Sequence, residues 1–383
     1  MTKKNRDYQI CTNCVMDTTD PDIVFDENCV CDHCHDFENN VKAHWHTDER
    51  GRQELETIVN QVKLAGQGKE FDCLLGISGG VDSSYMLHQA VKEFGLRPLV
   101  FHVDGGWNSE LAVHNINVMI NKLGVDLYTE VINWEEMRDF QHAFFKSGVP
   151  HIDIPQDHSF IATLYRFAEK YKIKYILNGG NFSTECVQYP MEWFYYGTDM
   201  KHIKDIIHRF GTVRMETYPF SSIFNHKIYL RYFRGVKVVK PLNYIPYVKA
   251  EAMALLEKEY DWKAYPQKHF ESRFTKFYEG YWLPERFGYD TRRVQYSSLI
   301  LTGQMTRAEA IEKLKNPAYE PAAIKDEFNY IATKLGITPD ELQHYFILPK
   351  KFYWDYKNQQ NIFRLGAMFL HLFGVEKVKK RDK

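Results

Sequence analysis

The stretch LLGISGGVDSSYML, residues 74–87, constrains this chain more than any other. An apolar run, Leu74 to Ile77, passes directly into Ser78-Gly79-Gly80-Val81-Asp82-Ser83-Ser84, and an amphipathic pattern begins at once. That order predicts a buried strand, a tight loop and a helix. Two adjacent glycines let the backbone curl and approach an anion without Cβ clashes. The start of the helix adds free N–H groups and the positive end of its dipole. Ser78, Ser83 and Ser84 supply hydroxyl donors, and Asp82 either caps the helix or holds a Mg²⁺ that accompanies phosphates. The lysine of the Walker A pattern is absent, so this is a different phosphate cradle.

The rest of the chain agrees with that start. FDCLLGIS, RPLVFHVD, DLYTEVIN, IKYILNGG and VKVVKPL read as strands. Helical patterns begin at Val81, surround SELAVHNINVMINKLG, span roughly 159–171 and cover VKAEAMALLEKEY. Such alternation predicts an α/β fold, an open parallel sheet with helices on both faces, whose ligands bind at the carboxyl ends of the strands. HVDGG places Asp104 and Gly105 after the second strand, and NGGN places Gly179, Gly180 and Asn181 after the fourth. By texture the chain divides into a cysteine-rich module over 1–40, an α/β domain over 41–261 with an insertion at about 181–235, and a mostly helical region over 262–383. That last region ends in a basic tail, VEKVKKRDK.

Lys+Arg 49 against Asp+Glu 50 leaves a net charge of −1, which counts against a nucleic-acid-binding face. No apolar run approaches the ~18–20 residues that span a bilayer, and no apolar core follows the basic N-terminal residues. The expectation is a cytoplasmic chain without a membrane span, whose seven cysteines are ligands, thiols or core rather than disulfides. Cys11-x-x-Cys14 and Cys31-x-x-Cys34, sixteen residues apart, have the spacing of a structural Zn²⁺ site. Cys29, His33 and His35 are the alternative ligands. A metal would supply the folding energy that a module this poor in apolar residues lacks. Cys73 reads as core, and Cys186 as a packed thiol or a reactive one.

Ser78–Ser83 resembles the SGGxDS loop of the PP-loop, N-type ATP pyrophosphatases, which split ATP between its α- and β-phosphates and leave an adenylated substrate. The resemblance implies ATP with Mg²⁺, a catalytic Asp82, and pyrophosphate held by Ser78, Gly79, Gly80, Val81, Asp82, Ser83 and Ser84. Asp104, Gly179, Gly180 and Asn181 would border the adenosine and α-phosphate. The block WKAYPQKHFESRFTKFYEGYWLPERFGYDTRRVQYSSLILTGQMTR, residues 262–307, resembles the N-acetyl sugar amidotransferases of the WbpG and PseA type. So do PLNYIPYVKAEA and CTNCVMDTTDPDIVFDENCVCDHC, where that family often has glycine at the position of Cys29. The likeness covers roughly residues 8–320.

What it implies is ATP-driven conversion of an acetamido group on a free or UDP-linked sugar into an acetamidino group, for lipopolysaccharide O-antigen or a related surface glycan. Lys268 and Arg273 are then candidates for a catalytic charge clamp or for binding the sugar substrate. His269, Glu271, Ser272, Arg292 and Arg293 are candidates for substrate binding, with Glu271 also able to hold Mg²⁺ and the arginines suited to bidentate anion contacts. Neither Cys73 nor Cys186 has the flanks of a glutaminase nucleophile. Ammonia is therefore expected from a separate glutaminase subunit, with a cyclase-like companion, and NIFRLGAMFLHLFGV (361–375) is either its dock or a packed helix. The alternatives are a tRNA-modifying PP-loop enzyme of the thiolase type, which needs a basic face and reactive cysteines, and a non-enzymatic nucleotide-binding scaffold.

Overall fold

The computed structural model describes residues 6–372, so the basic tail VEKVKKRDK and the last three residues of 361–375 lie outside the described residues. Five strands form one parallel sheet in the order β3-β2-β1-β4-β5: β1 (Cys73–Gly76), β2 (Pro98–Asp104), β3 (Leu127–Val131), β4 (Tyr175–Leu177) and β5 (Lys237–Val239). The chain adds strands outward on one side of β1, then returns to its other side, so the order reverses between β1 and β4. That reversal opens a crevice at the carboxyl ends of the two strands. Leu74 pairs with Ile176 and Leu75 with Leu177, which sets SGGVDSS directly beside NGGN.

The period-2 alternation of β1 separates two cores. Cys73, Leu75 and Ile77 pack with Val100 and with Met86, Ile116, Met119 and Leu256 of the helices Val81–His88, Glu110–Leu123 and Lys249–Tyr260. Leu74, Phe101 and Ile176 pack with Phe140, Phe144 and Phe167 of the helices Trp134–Ser147 and Ile154–Lys170. Helices thus cover both faces, as expected. Glu110–Leu123 is bounded as its sequence suggests, by Ser109 accepting from the Ala112 N–H and by Gly124 at φ 64°. The helix expected at about 159–171 begins earlier, at Ile154, because Pro155 occupies its first turn, where a missing N–H costs nothing.

Trp134–Ser147 has no counterpart among the expected helices. Its two buried carboxylates explain how the following insertion is held. Asp139 accepts the N–H groups of Thr212 (2.9 Å) and Val213 (3.0 Å), and Glu136 those of Glu216 (2.9 Å) and Thr217 (2.9 Å). Buried charge is tolerated when it is this fully hydrogen-bonded. The cysteine-rich module and the helical C-terminal region share the second core, where Cys11, Cys34, Trp193, Phe274, Trp282 and Tyr289 are all buried. Among the described residues no helix is long and apolar enough to cross a membrane.

Candidate active site

The loop after β1 is shaped by its glycines. Gly79 stands at φ +84°, and a Cβ there would lie 2.8 Å from the Ala112 carbonyl oxygen. The Gly79 carbonyl is drawn into the protein by three donors: Trp262 Nε1 (2.9 Å), Asn115 Nδ2 (3.2 Å) and the Tyr265 hydroxyl (3.3 Å). Ser83 Oγ accepts from the Ser78 N–H at 3.2 Å and stands 3.1 Å from Ser78 Oγ, closing the loop into a cup. A Cβ on Gly179 would meet the Asp82 carbonyl oxygen at 2.7 Å, so the loop after β4 needs glycine to lie against the first.

The cup opens into a cavity of about 540 Å³, within the range of small-molecule sites. Ser78, Gly80, Val81, Asp82 and Ser83 line it on one side, with Gly179 and Gly180 beside them. Lys268, His269, Glu271 and Ser272 line the other. This second wall stays in place because its backbone pairs with the loop after β2: Ser109 N–H donates to the Glu271 carbonyl (2.9 Å) and Arg273 N–H to that of Trp107 (2.8 Å). Glu271 reaches the loop itself, since a Cβ on Gly80 would lie 1.8 Å from its Oε1.

At the centre is an ion cluster. Asp82 Oδ1 accepts from the Tyr247 hydroxyl (2.5 Å) and Asn181 Nδ2 (3.3 Å), and Lys268 Nζ stands 3.2 Å from Oδ2 and 2.6 Å from Glu185 Oε1. Burial pushes the Asp82 carboxyl up, but Lys268 and the Tyr247 hydroxyl outweigh it and hold the group below its ordinary value. The same pairings overcome burial to raise Lys268, so both charges persist at neutral pH. Burial lowers Lys249, which also faces the cavity, and raises Glu271. His269 sits at φ 67° with Nδ1 2.9 Å from Glu279 Oε1. Burial opposes its charge, but Glu279 prevails and takes it up to about 9.

Other expected site residues lie elsewhere. Ser84 is buried beneath the loop, and Asn181 acts behind Asp82 while capping Phe182–Glu185. Asp104 accepts the Gly106 N–H at 2.7 Å outside the cavity wall, and Gly105 is buried. Arg273 turns away, bidentate on Glu327 (3.1 and 2.9 Å) with its guanidinium 3.3 Å from the centre of the Tyr330 ring. Arg292 binds Asp290 (2.6 Å) and the Asn316 carbonyl, and Arg293 binds Asp17 (3.0 Å) and the Val15 carbonyl. These arginines are engaged by carboxylates and carbonyls of the protein itself. Tyr247, Lys249, Glu185, Asn115, Trp262 and Tyr265 complete the site without having been picked out. Lys249 and Tyr247 fall inside PLNYIPYVKAEA, the one signal that pointed to them.

The four knuckle cysteines are buried, and their Sγ atoms all lie within 4.8 Å of one another. Cys11–Cys34 is 3.8 Å, and Cys14–Cys31 and Cys31–Cys34 are 3.6 Å. A tetrahedral ion with metal–sulfur bonds of about 2.3 Å needs sulfurs about 3.8 Å apart, so one ion fits. A cubane iron–sulfur cluster, lying between its ligands, would hold them much further apart. Backbone N–H groups of Asn13, Cys14, Met16 and Cys31 donate to the sulfurs at 3.3–3.4 Å, which orients them and stabilises thiolate charge. Cys29 is outside this set. It occupies the left-handed turn at φ 59°, which is why glycine suits that position. His33 and His35 are paired with Asp20 and Asp26, both at 2.9 Å. Cys73 and Cys186 are buried, and burial pushes the Cys186 thiol up to about 12.

A parallel sheet that reverses at β1/β4, with a serine–glycine cup in the crevice, defines an open α/β protein with a four-cysteine module able to hold a metal ion. Within it, residues 271–369 match the family model described as LPS biosynthesis protein WbpG-like, C-terminal domain, which overlaps the 262–307 block. No curated protein matches the chain. Similar solved structures include NMN synthetase from Francisella tularensis (15% identity, 79% of this chain and 99% of that one, TM-score 0.32). NAD⁺ synthetase from Burkholderia pseudomallei is another (15% identity, 60% and 99%, TM-score 0.29). A third is the U34-tRNA thiolase NcsA from Methanococcus maripaludis with its 4Fe–4S cluster (12% identity, 90% and 90%, TM-score 0.31).

Proposed function

We propose that the chain is an ATP-dependent, AMP-forming amidotransferase that converts the acetamido group of an N-acetylated, UDP-linked sugar into an acetamidino group, in surface-glycan synthesis. One observation carries this reading. The segment that leads into the WbpG-like domain is built onto the phosphate cup, with Trp262 and Tyr265 on Gly79, Lys268 on Asp82 and Glu271 on Gly80. Nucleotide and substrate would therefore meet in one cavity.

The chemistry suits these residues. An acetamide carbon is a poor electrophile until its oxygen becomes a leaving group. In the first step that oxygen attacks the α-phosphorus of ATP and pyrophosphate departs into the Ser78–Ser83 cup. Ammonia then adds to the imidate carbon, AMP leaves with the oxygen, and the amidine remains. Backbone N–H groups and the Lys268 ammonium would take up charge on the transferring phosphate, which is where most of the acceleration in such reactions arises. Asp82 and Glu271 are the carboxylates that would hold Mg²⁺, and the ion would offset charge on the triphosphate. The knuckle ion would be Zn²⁺, structural because four thiolates leave no open position. Ammonia would come from a separate glutaminase subunit with its cyclase-like companion, in the cytoplasm.

The tRNA-thiolase alternative requires a reactive thiol at the nucleotide. Cys186 is buried, bonds the Ser298 carbonyl at 3.7 Å and lies off the cavity wall. The test is AMP and pyrophosphate release from ATP, Mg²⁺ and ammonium chloride across UDP-linked and free N-acetylated sugars, beside Asp82→Ala. Release that depends on one sugar and on Asp82, with a product in which NH has replaced O by mass, is the expected result. Release that needs tRNA and a sulfur donor instead would overturn the proposal.

A further inference from the structure

The inference below rests on the proposed reaction, which consumes ammonia. Four buried side chains, His151, Tyr195, His202 and Tyr278, each between 0% and 4% exposed, break the rule that buried polar groups are paired. Both ring nitrogens of each histidine and both tyrosine hydroxyls have no hydrogen-bond partner. Asp157 Oδ2 stands 3.5 Å from His151 Nε2, within ion-pair range but without hydrogen-bond alignment.

These groups follow one another in space. Ring centres are 6.2 Å apart for Tyr278–His151, 5.4 Å for His151–Tyr195 and 4.8 Å for Tyr195–His202. At the inner end Tyr278 adjoins Glu279, the partner of the cavity residue His269. Beside it, buried Asp153 accepts from the Thr275 hydroxyl (2.6 Å) and Gln156 Nε2 (3.1 Å), and Gln156 Oε1 accepts from Ser272 (3.2 Å) of the cavity wall. At the outer end His202 faces Tyr356 (5.8 Å), whose ring lies 5.2 Å beneath Arg209, next to the exposed Lys357.

Six buried polar atoms without hydrogen bonds, on four rings in successive contact, carry a desolvation cost that only His151 Nε2 offsets, through Asp157. Small polar molecules that donate and accept would satisfy them. Burial lowers His202 to about 3, so its imidazole is neutral at neutral pH, and burial raises Asp153 well above its ordinary value. A lining of tyrosine hydroxyls and the neutral His202 imidazole favours a neutral molecule over its cation. We propose that this seam is a conduit that brings neutral ammonia from the Arg209–Lys357 surface to the cavity.

The test uses ammonium chloride as ammonia source, with ATP and the active sugar saturating, on His202→Phe and Tyr195→Phe/His202→Phe. Sugar-dependent ATP–pyrophosphate exchange reports adenylation alone, and amidine formation reports both steps. The expected result is a rise of about tenfold or more in KM for ammonia, with exchange within about twofold of wild type and no loss of thermal midpoint. An unchanged KM for ammonia in folded variants would overturn the conduit. Wild type lacking any sugar-dependent exchange would sink the enzymatic reading instead. In that event, or if neither variant folds, a high-resolution crystal structure decides. Ordered waters on the six atoms support the seam, and a dry seam with those atoms re-paired refutes it.

Discussion

Lys268 shows how much one side chain can owe to its neighbours. Its ammonium stands partly enclosed between Asp82 and Glu185, which raise it against the pull of burial. Lys268→Met should therefore lower adenylation by about 10²–10³-fold, the size of losing one preorganised donor, with a smaller change in stability. Sugar-dependent ATP–pyrophosphate exchange checks this. His269 offers a test by pH. Its folded value of about 9 lies above its ordinary 6.5, so its contribution to stability is full below 6.5 and is lost as pH rises through 9. The difference in thermal midpoint between wild type and His269→Gln should shrink across that window. A constant difference would show that His269 is not paired as described. At Cys29, glycine would relieve a left-handed backbone that costs about 1 kcal/mol. Cys29→Gly should raise stability by up to that amount and leave metal content unchanged.

Elements are positioned by their ends, and the ends were the readable part. Ser109 and Gly124 bound their helix as written, and the Ser78–Ser83 cup lies at the strand end where the pattern puts it. The crossover Trp134–Ser147 was less legible, because WEEMRDFQHAFFKS mixes buried Glu136 and Asp139 into its apolar stripe. Those carboxylates bind backbone N–H groups far along the chain, a role that periodicity does not report. Close packing of the loops after β1 and β4 yields a sharp prediction. Gly179→Ala would set a Cβ 2.7 Å from the Asp82 carbonyl oxygen and push the two loops apart. The Kd for ATP should rise at least about tenfold (about 1.4 kcal/mol), measured by calorimetry.

At the scale of the molecule, the cysteine module is fastened to the C-terminal region. Arg307 donates to the carbonyls of Cys11 (2.7 Å) and Cys14 (3.0 Å), and Arg293 pairs with Asp17, which is fully buried. Arg293→Met would leave that carboxylate its hydrogen bonds from Tyr8 and Thr19 but no counter-charge, and should cost about 3 kcal/mol by denaturant unfolding. Cys11→Ser with Cys31→Ser should remove about one metal ion per chain. Because module and C-terminal region share a core, stability should fall in one transition that includes the C-terminal helices. Arg292 and Arg293 also show why part of the site was illegible. An arginine that grips substrate and one that grips its own protein look alike in sequence, and only the position of Asp17 or Asp290 tells them apart.

Taken alone, the sequence determined whatever depends on neighbours along the chain. Two CxxC knuckles place four sulfurs, Gly-Gly between a strand and a helix makes a tight serine–glycine cup, and alternating periods make a parallel sheet. Only the tertiary structure decided which charges share the cavity. Tyr265 reaches Gly79 across 186 positions and Tyr247 reaches Asp82 across 165. It also sent Arg273 away to Glu327 and lined up four unpaired rings between cavity and surface. The physical reason is that a loop or knuckle is specified by local backbone sterics and ligand geometry. The partner of a buried charge is whichever group the packing of two cores happens to bring within reach.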